Sequence, residues 1–204
     1  MSKARVVSAF PGTGKSFLFD NNLNLRILDS DSSQFSWVVK EDGTKERNPE
    51  FPTNYINRLL DCIKDYDLIL VSSHKEVRDA LIDNLIPFDL VYPSKNLKEE
   101  YLERYRQRRS GEKFIQLISD NWDAWIDELS GIESKLVSHI QFTDEDCFIS
   151  DLVYTKESIS FTIHLTPNRV INYKDIIQAK ADFKSRLEGY NTPALDFIKE
   201  LSIK

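Results

Sequence analysis

The stretch Ala9-Phe10-Pro11-Gly12-Thr13-Gly14-Lys15-Ser16 organises the rest of this 204-residue chain. A phosphate loop has a glycine, four residues, then Gly-Lys-Ser or Gly-Lys-Thr, and the chain meets that pattern with Ala9 at the first glycine position. Gly12 and Gly14 let backbone N–H groups curl around phosphate oxygens. Lys15 adds a point charge, and the Ser16 hydroxyl suits Mg²⁺. Pro11, Thr13 and Phe17 complete the expected nucleotide-binding set. Residues 3–10 before the loop are β-prone, and residues 15–21 after it can open a helix, the setting the motif requires.

Working outward, an apolar run at 25–28 ends in Asp29-Ser30-Asp31-Ser32-Ser33. This places two carboxylates at the carboxyl end of a second strand, expected beside the phosphate loop, on the edge where open parallel sheets bind ligands. Asp29 and Asp31 can divide two tasks, one holding the Mg²⁺ water shell and the other accepting a proton from an attacking hydroxyl. Asp and Ser equally serve to cap turns. A third strand at 67–73 is a continuous apolar run of the kind buried on both faces in parallel sheets, and His74 follows it. Helices are expected at about 54–65 and 75–84, and further strands at 88–92 and 135–142. Polar residues with Gly43, Pro49 and Pro52 mark an insert at 35–60, taken as the acceptor-binding region.

Residues 96–129 read as a helical hairpin interrupted at Ser110-Gly111, a break that suits a hinge. Arg104 and Arg108 are four apart and share a helix face, so they can reach phosphate oxygens together if the hairpin closes as a lid. A solvated charged helix balanced by Glu99, Glu100 and Glu103 is the plainer alternative. Ser73, His74 and Arg78 cluster after the third strand as substrate contacts, with Arg78 favoured over His74. Trp37 in the insert can stack on a base, as can Phe35 and Tyr55, although single aromatics usually pack. Trp122 and Trp125 read as core.

The composition, 41% hydrophobic and 29% charged with 6 Gly and 7 Pro, is that of a folded globular chain. A net charge of −6 argues against nonspecific nucleic-acid binding by the whole molecule. Two distant cysteines suit reduced thiols rather than a disulfide framework or zinc site. The absence of a long apolar run or signal core leads to an expected cytoplasmic location without membrane association. After Tyr154 the balance turns basic, 8 Lys+Arg against 6 Asp+Glu, whereas the preceding part has 19 against 27. That shift supports a division into a main domain, 1–154, and a small α+β extension, 155–204, with a strand at 158–165 and helices at 173–189 and 193–203.

Taken in order, the phosphate loop, the Asp-Ser-Asp strand end, the hydroxyl-tipped third strand and the Arg-rich hairpin resemble the small P-loop kinases, especially polynucleotide kinases and bacteriophage nucleotide kinases. The resemblance covers about residues 3–154. It implies an α/β three-layer sandwich with a central parallel sheet and a helical-hairpin lid, using ATP and Mg²⁺, in the host cytoplasm if the chain is of phage origin. It further implies a general base at Asp31 or Asp29 and a phosphate-contacting arginine at Arg104 or Arg108. Ser72-Ser73 stand where an acidic residue often ends the third strand, so metal binding leans on Ser16 and Asp29. The expected acceptor is a hydroxyl on a nucleoside or nucleic acid, including a hydroxymethylated base in phage DNA, as in DNA modification. The alternatives are a deoxynucleoside monophosphate, clamped by Arg47, Arg78 and the hairpin arginines, or a nucleotide-dependent switch with no acceptor.

Overall fold

The computed structural model describes residues 4–21, 25–152 and 171–172, the last pair by backbone pairing alone. Strand β1 (Arg5–Ala9) is buried at every position after Arg5 and runs into the glycine turn, from which α1 (Lys15–Asn21) departs. Then follow β2 (Ile27–Asp29), the short α2 (Ser33–Ser36) and an antiparallel hairpin of β3 (Trp37–Val39) and β4 (Lys45–Arg47). Next come α3 (Thr53–Cys62), β5 (Leu68–Ser72), α4 (Lys75–Asp83) and β6 (Phe88–Pro93). Helices α5 (Lys98–Gln107) and α6 (Glu112–Ser130) precede β7 (Val137–Phe142).

Apart from the separate hairpin, the strands form one parallel sheet in the order β2-β5-β1-β6-β7, flanked by helices. Two-residue β8 (Ile171–Asn172) adds in parallel to β7. The rest of the expected extension, including its strand and both helices, lies outside the described residues. The order places β5 between β1 and β2, so Asp29 is not on the strand adjacent to the phosphate loop as expected. The continuous apolar run of β5 explains this: Leu68, Ile69, Leu70 and Val71 are all buried, as suits a strand inside the sheet. Connections leave β1 toward β2 and return across it from β5 to β6. The loop at the carboxyl end of β1 therefore sits at the switch of direction, where α/β sheets form clefts.

The helices bury one face each. In α3, Tyr55, Ile56, Leu59 and Cys62 recur at helical spacing and are buried, and in α6 the set is Ile115, Ile118, Trp122, Ile126 and Leu129. Trp122 lies edge-on to Phe10 with ring centroids 5.5 Å apart and donates its indole N–H to the Lys95 carbonyl at 2.9 Å. The α5–α6 hairpin is thereby part of the core beside the phosphate loop. Its expected hinge is a hydrogen-bonded turn: Ser110 N–H bonds the Tyr105 carbonyl at 2.9 Å and Arg109 adopts φ 54°. Both cysteines are free and buried. Among the described residues no helix is long and apolar enough to cross a membrane.

Candidate functional site

The phosphate loop is held from behind by its carbonyls. The Tyr105 hydroxyl donates to the Pro11 carbonyl at 2.8 Å, Arg104 Nη1 to the Gly12 carbonyl at 3.1 Å, and the Ile149 N–H to the Thr13 carbonyl at 2.9 Å. In a trans peptide the following N–H points opposite to the carbonyl, so these bonds turn the Gly12 N–H away from α5 and the Gly14 N–H away from Ile149. The Thr13 N–H makes a long, 3.4 Å bond to the Phe10 carbonyl, which also accepts from the Thr13 hydroxyl at 2.7 Å. Gly12 and Gly14 have φ of 82° and 95°, in the left-handed region. A Cβ on Gly12 would come within 3.1 Å of Tyr101 and Tyr105, and one on Gly14 within 3.2 Å of Phe148. The close approach of these rings, together with φ, fixes glycine at both positions.

Lys15 extends back along the loop, donating to the Ala9 carbonyl at 2.6 Å. Its burial pulls the pKa down to about 8, with Arg108 acting in the same direction and Asp29 and Asp31 opposing it. Although β5 separates their strands, Asp29 lies near enough to the start of α1 for Lys15 and Ser16 both to favour its charged form. Desolvation raises the Asp29 pKa, Lys15 counters it, and Asp31 adds to the rise. Asp31 is exposed and accepts from both the N–H and hydroxyl of Ser33, at 2.8 and 2.7 Å, so it does cap the turn into α2. Phe17 projects from α1 into solvent, 62% exposed.

The two arginines part company. Arg104 is 90% covered, its guanidinium sandwiched 4.5 Å from the Tyr101 ring and 4.4 Å from the Phe148 ring, and it also pairs with Glu100. A further bond joins it to the Glu145 carbonyl. Arg108 is exposed and has no ion pair among the described residues, yet its charge is felt at Lys15. Tyr101, Tyr105, Phe148 and Ile149 are the loop-supporting residues that sequence spacing does not reveal. Tyr101 and Tyr105 lie within the Arg-rich run and share a face with Arg104 and Arg108, a signal that was present. Phe148 and Ile149 come from the far end of the chain and left none.

No family model, curated protein or solved structure matches the chain.

Beyond the loop, the end of β5 divides two cavities that share His74 and Lys75. The insert side, about 480 Å³, is lined by Ser32, Ser36, Trp37, Arg47 and Phe51. Trp37 is half exposed and lies 5.7 Å below the Arg47 guanidinium, whereas Tyr55 is fully buried and donates to the Ser30 carbonyl at 2.9 Å. The other side, about 290 Å³, lies between Lys15, Ser73 and the α6 side chains Phe114, Leu117 and Trp125. Trp125 is only partly buried, so it is a cavity wall as well as core. Arg78 is 3% exposed, bonded to the Ser73 carbonyl at 2.8 Å and to Glu128 at 2.7 Å. Arg47 pairs with Glu76. His74 retains contact with solvent, but desolvation lowers its pKa, with Lys15, Arg47 and Arg78 adding to the shift and Glu76 opposing it.

The site's chemistry fits a triphosphate and Mg²⁺. Left-handed glycines at 12 and 14, loop carbonyls held from behind and a buried Lys15 suit phosphate oxygens on the opposite side. Ser16 and Asp29 supply hard oxygen donors, and Mg²⁺ commonly takes one or two carboxylates with phosphates and waters.

Proposed function

We propose that the chain is an ATP-dependent P-loop kinase of nucleotide or nucleic-acid metabolism, with a three-layer kinase-like architecture, that transfers the γ-phosphate to a hydroxyl. The observation that carries this is the phosphate loop pinned by three consecutive carbonyls, with the Asp29 carboxylate near Lys15 and Ser16 at its exit. Pre-set N–H donors lower the barrier because they need no reorganisation as charge shifts on the phosphate oxygens.

Within this proposal Lys15 neutralises phosphate charge and Ser16 with Asp29 holds Mg²⁺. When bound, Mg²⁺ offsets charge on the β- and γ-phosphates. Asp31, exposed and not committed to Ser16, accepts the proton of the acceptor hydroxyl. The bond from the γ-phosphorus to its bridging oxygen breaks, a bond to the acceptor oxygen forms, and ADP leaves with the bridging oxygen. Arg108 approaches the transferring group from solvent, while Arg104 positions the loop.

A hydroxyl acceptor is favoured over a monophosphate by the state of the arginines. Arg47, Arg78 and Arg104 are each paired with a carboxylate, so three of the cations that would clamp a second phosphate are already engaged, and Arg108 is assigned to the transferring group. Transfer of radiolabelled γ-phosphate to a panel of nucleosides, nucleoside monophosphates and oligonucleotides tests the proposal. Label on hydroxyl acceptors supports it. Label on monophosphates alone favours the second kinase type, and no transfer to any acceptor favours a nucleotide-dependent switch.

A further inference from the structure

The insert-side cavity contains no phosphate-loop residue, whereas the α6-side cavity is lined by Ala9, Phe10, Pro11 and Lys15. A group held on the α6 side therefore lies directly against the loop. Its α6 wall is apolar and solvent-facing: Phe114 and Leu117 are 38% and 51% exposed, and Trp125 is partly buried beside them. Large apolar side chains left open next to a charged loop mark a place for an apolar surface to land. Of the cavity's cations, Arg78 pairs with Glu128 and Lys75 with Asp79, and Lys15, turned to the Ala9 carbonyl, is the one assigned above to the triphosphate. A second anion entering there would meet Glu128 and find no unpaired arginine, whereas an uncharged ring would cover the aromatic wall at little desolvation cost. At about 290 Å³ the space is near the lower end of small-ligand pockets, room for one base or nucleoside and not for a larger body.

We infer that the α6-side cavity, rather than the insert, receives the acceptor's body, and that this body is an uncharged planar group of nucleoside size seated on Phe114, Leu117 and Trp125. The assignment of the body to an acceptor rests on the phosphotransfer proposed above. The cavity turns its apolar wall to the flat face, and its Lys15 end, where the charges of Asp29 and Asp31 act, holds the hydroxyl beside the phosphate loop.

The test has two arms, so that a failed cavity and a failed kinase are told apart. In the first, calorimetric titration of the chain saturated with a non-hydrolysable ATP analogue compares unmodified nucleosides with their 5′-monophosphates on the wild-type chain, Leu117→Arg and Trp125→Ala. Leu117 is half exposed, so Leu117→Arg fills the cavity without disturbing the core. Nucleoside binding that exceeds monophosphate binding and weakens about tenfold or more in both variants supports the inference. Equal binding in wild type and Leu117→Arg, or tighter monophosphate binding, overturns it. In the second arm, the acceptor KM should rise about tenfold in Leu117→Arg with the ATP KM within about twofold. A KM rise in Trp37→Ala and none in Leu117→Arg places the acceptor on the insert side and overturns the inference. If no acceptor is phosphorylated, the kinase proposal fails, and the binding arm alone decides whether the cavity takes nucleosides.

Discussion

Arg104 donates a 3.1 Å hydrogen bond to the carbonyl of Gly12, behind the phosphate loop rather than in front of it. One of the two arginines expected to reach the transferring phosphate is thus engaged in shaping the loop. Tyr105 does the same for the Pro11 carbonyl. Removing either donor leaves a loop carbonyl to find water and lets the peptide rotate, which misdirects the next N–H.

Arg104→Ala should therefore weaken binding of a non-hydrolysable ATP analogue by about tenfold, the worth of a charged hydrogen bond, with acceptor affinity unchanged. Tyr105→Phe should cost less, about 0.5–1.5 kcal/mol of stability, and weaken the analogue by a few-fold. Isothermal titration and thermal unfolding check both. If Arg104→Ala lowers turnover alone and leaves ATP binding intact, Arg104 touches the transition state and the positioning role is wrong.

Gly12 and Gly43 make a matched pair. Both have positive φ, 82° and 81°, but only Gly12 faces side chains, with Tyr101 and Tyr105 atoms 3.1 Å from a Cβ and nothing within 4 Å of one on Gly43. Gly43→Ala should cost about 1 kcal/mol for its backbone alone, and Gly12→Ala about 2–3 kcal/mol because tyrosines must also move. Gly12→Ala should in addition lose ATP binding, since its displacement acts on the loop. Denaturant unfolding of the two variants reads the difference, and equal losses would mean that the ring contacts do not matter.

Binding of nucleotide should be pH-dependent on both sides. The Lys15 pKa is depressed to about 8, and a bound triphosphate raises it. Below pH 8 Lys15 is already charged and binding takes up no proton. Above it a proton must be taken up, so affinity falls as pH rises, by at most about tenfold per unit. On the acid side the raised pKa of Asp29 means that its carboxylate begins to be lost at a higher pH than an ordinary aspartate's, so Mg²⁺-dependent affinity drops as pH falls through that value. Titrations in two buffers of different ionisation enthalpy measure the proton uptake. Affinity that stays flat above pH 8 would mean that Lys15 does not contact the ligand.

Much of the sheet was legible because β5 and β6 are apolar runs bounded by turn residues, and α6 repeats its buried positions at helical spacing. Strand order was not. The apolar run of β5 marks an interior strand, but periodicity does not say which strands pair, so its place between β1 and β2 had to come from the fold. The loop itself was legible from Gly12, Gly14, Lys15 and Ser16, as their chemistry is local. Its supports were less so: Phe148 packs on Gly14 from across the sequence. Trp125 packs against the core as its spacing three residues from Trp122 suggests, but its second place as a cavity wall has no signal in that spacing. The helix turns it toward the edge of that face, where the cavity opens.

Labelled γ-phosphate transfer by wild type and Asp31→Asn, alongside ATP binding, tests phosphoryl transfer to a hydroxyl with Asp31 as base. Asp31→Asn should lower turnover by about 10²–10⁴ with ATP affinity unchanged. Near-normal turnover in Asp31→Asn, with label passing to monophosphates, would contradict it.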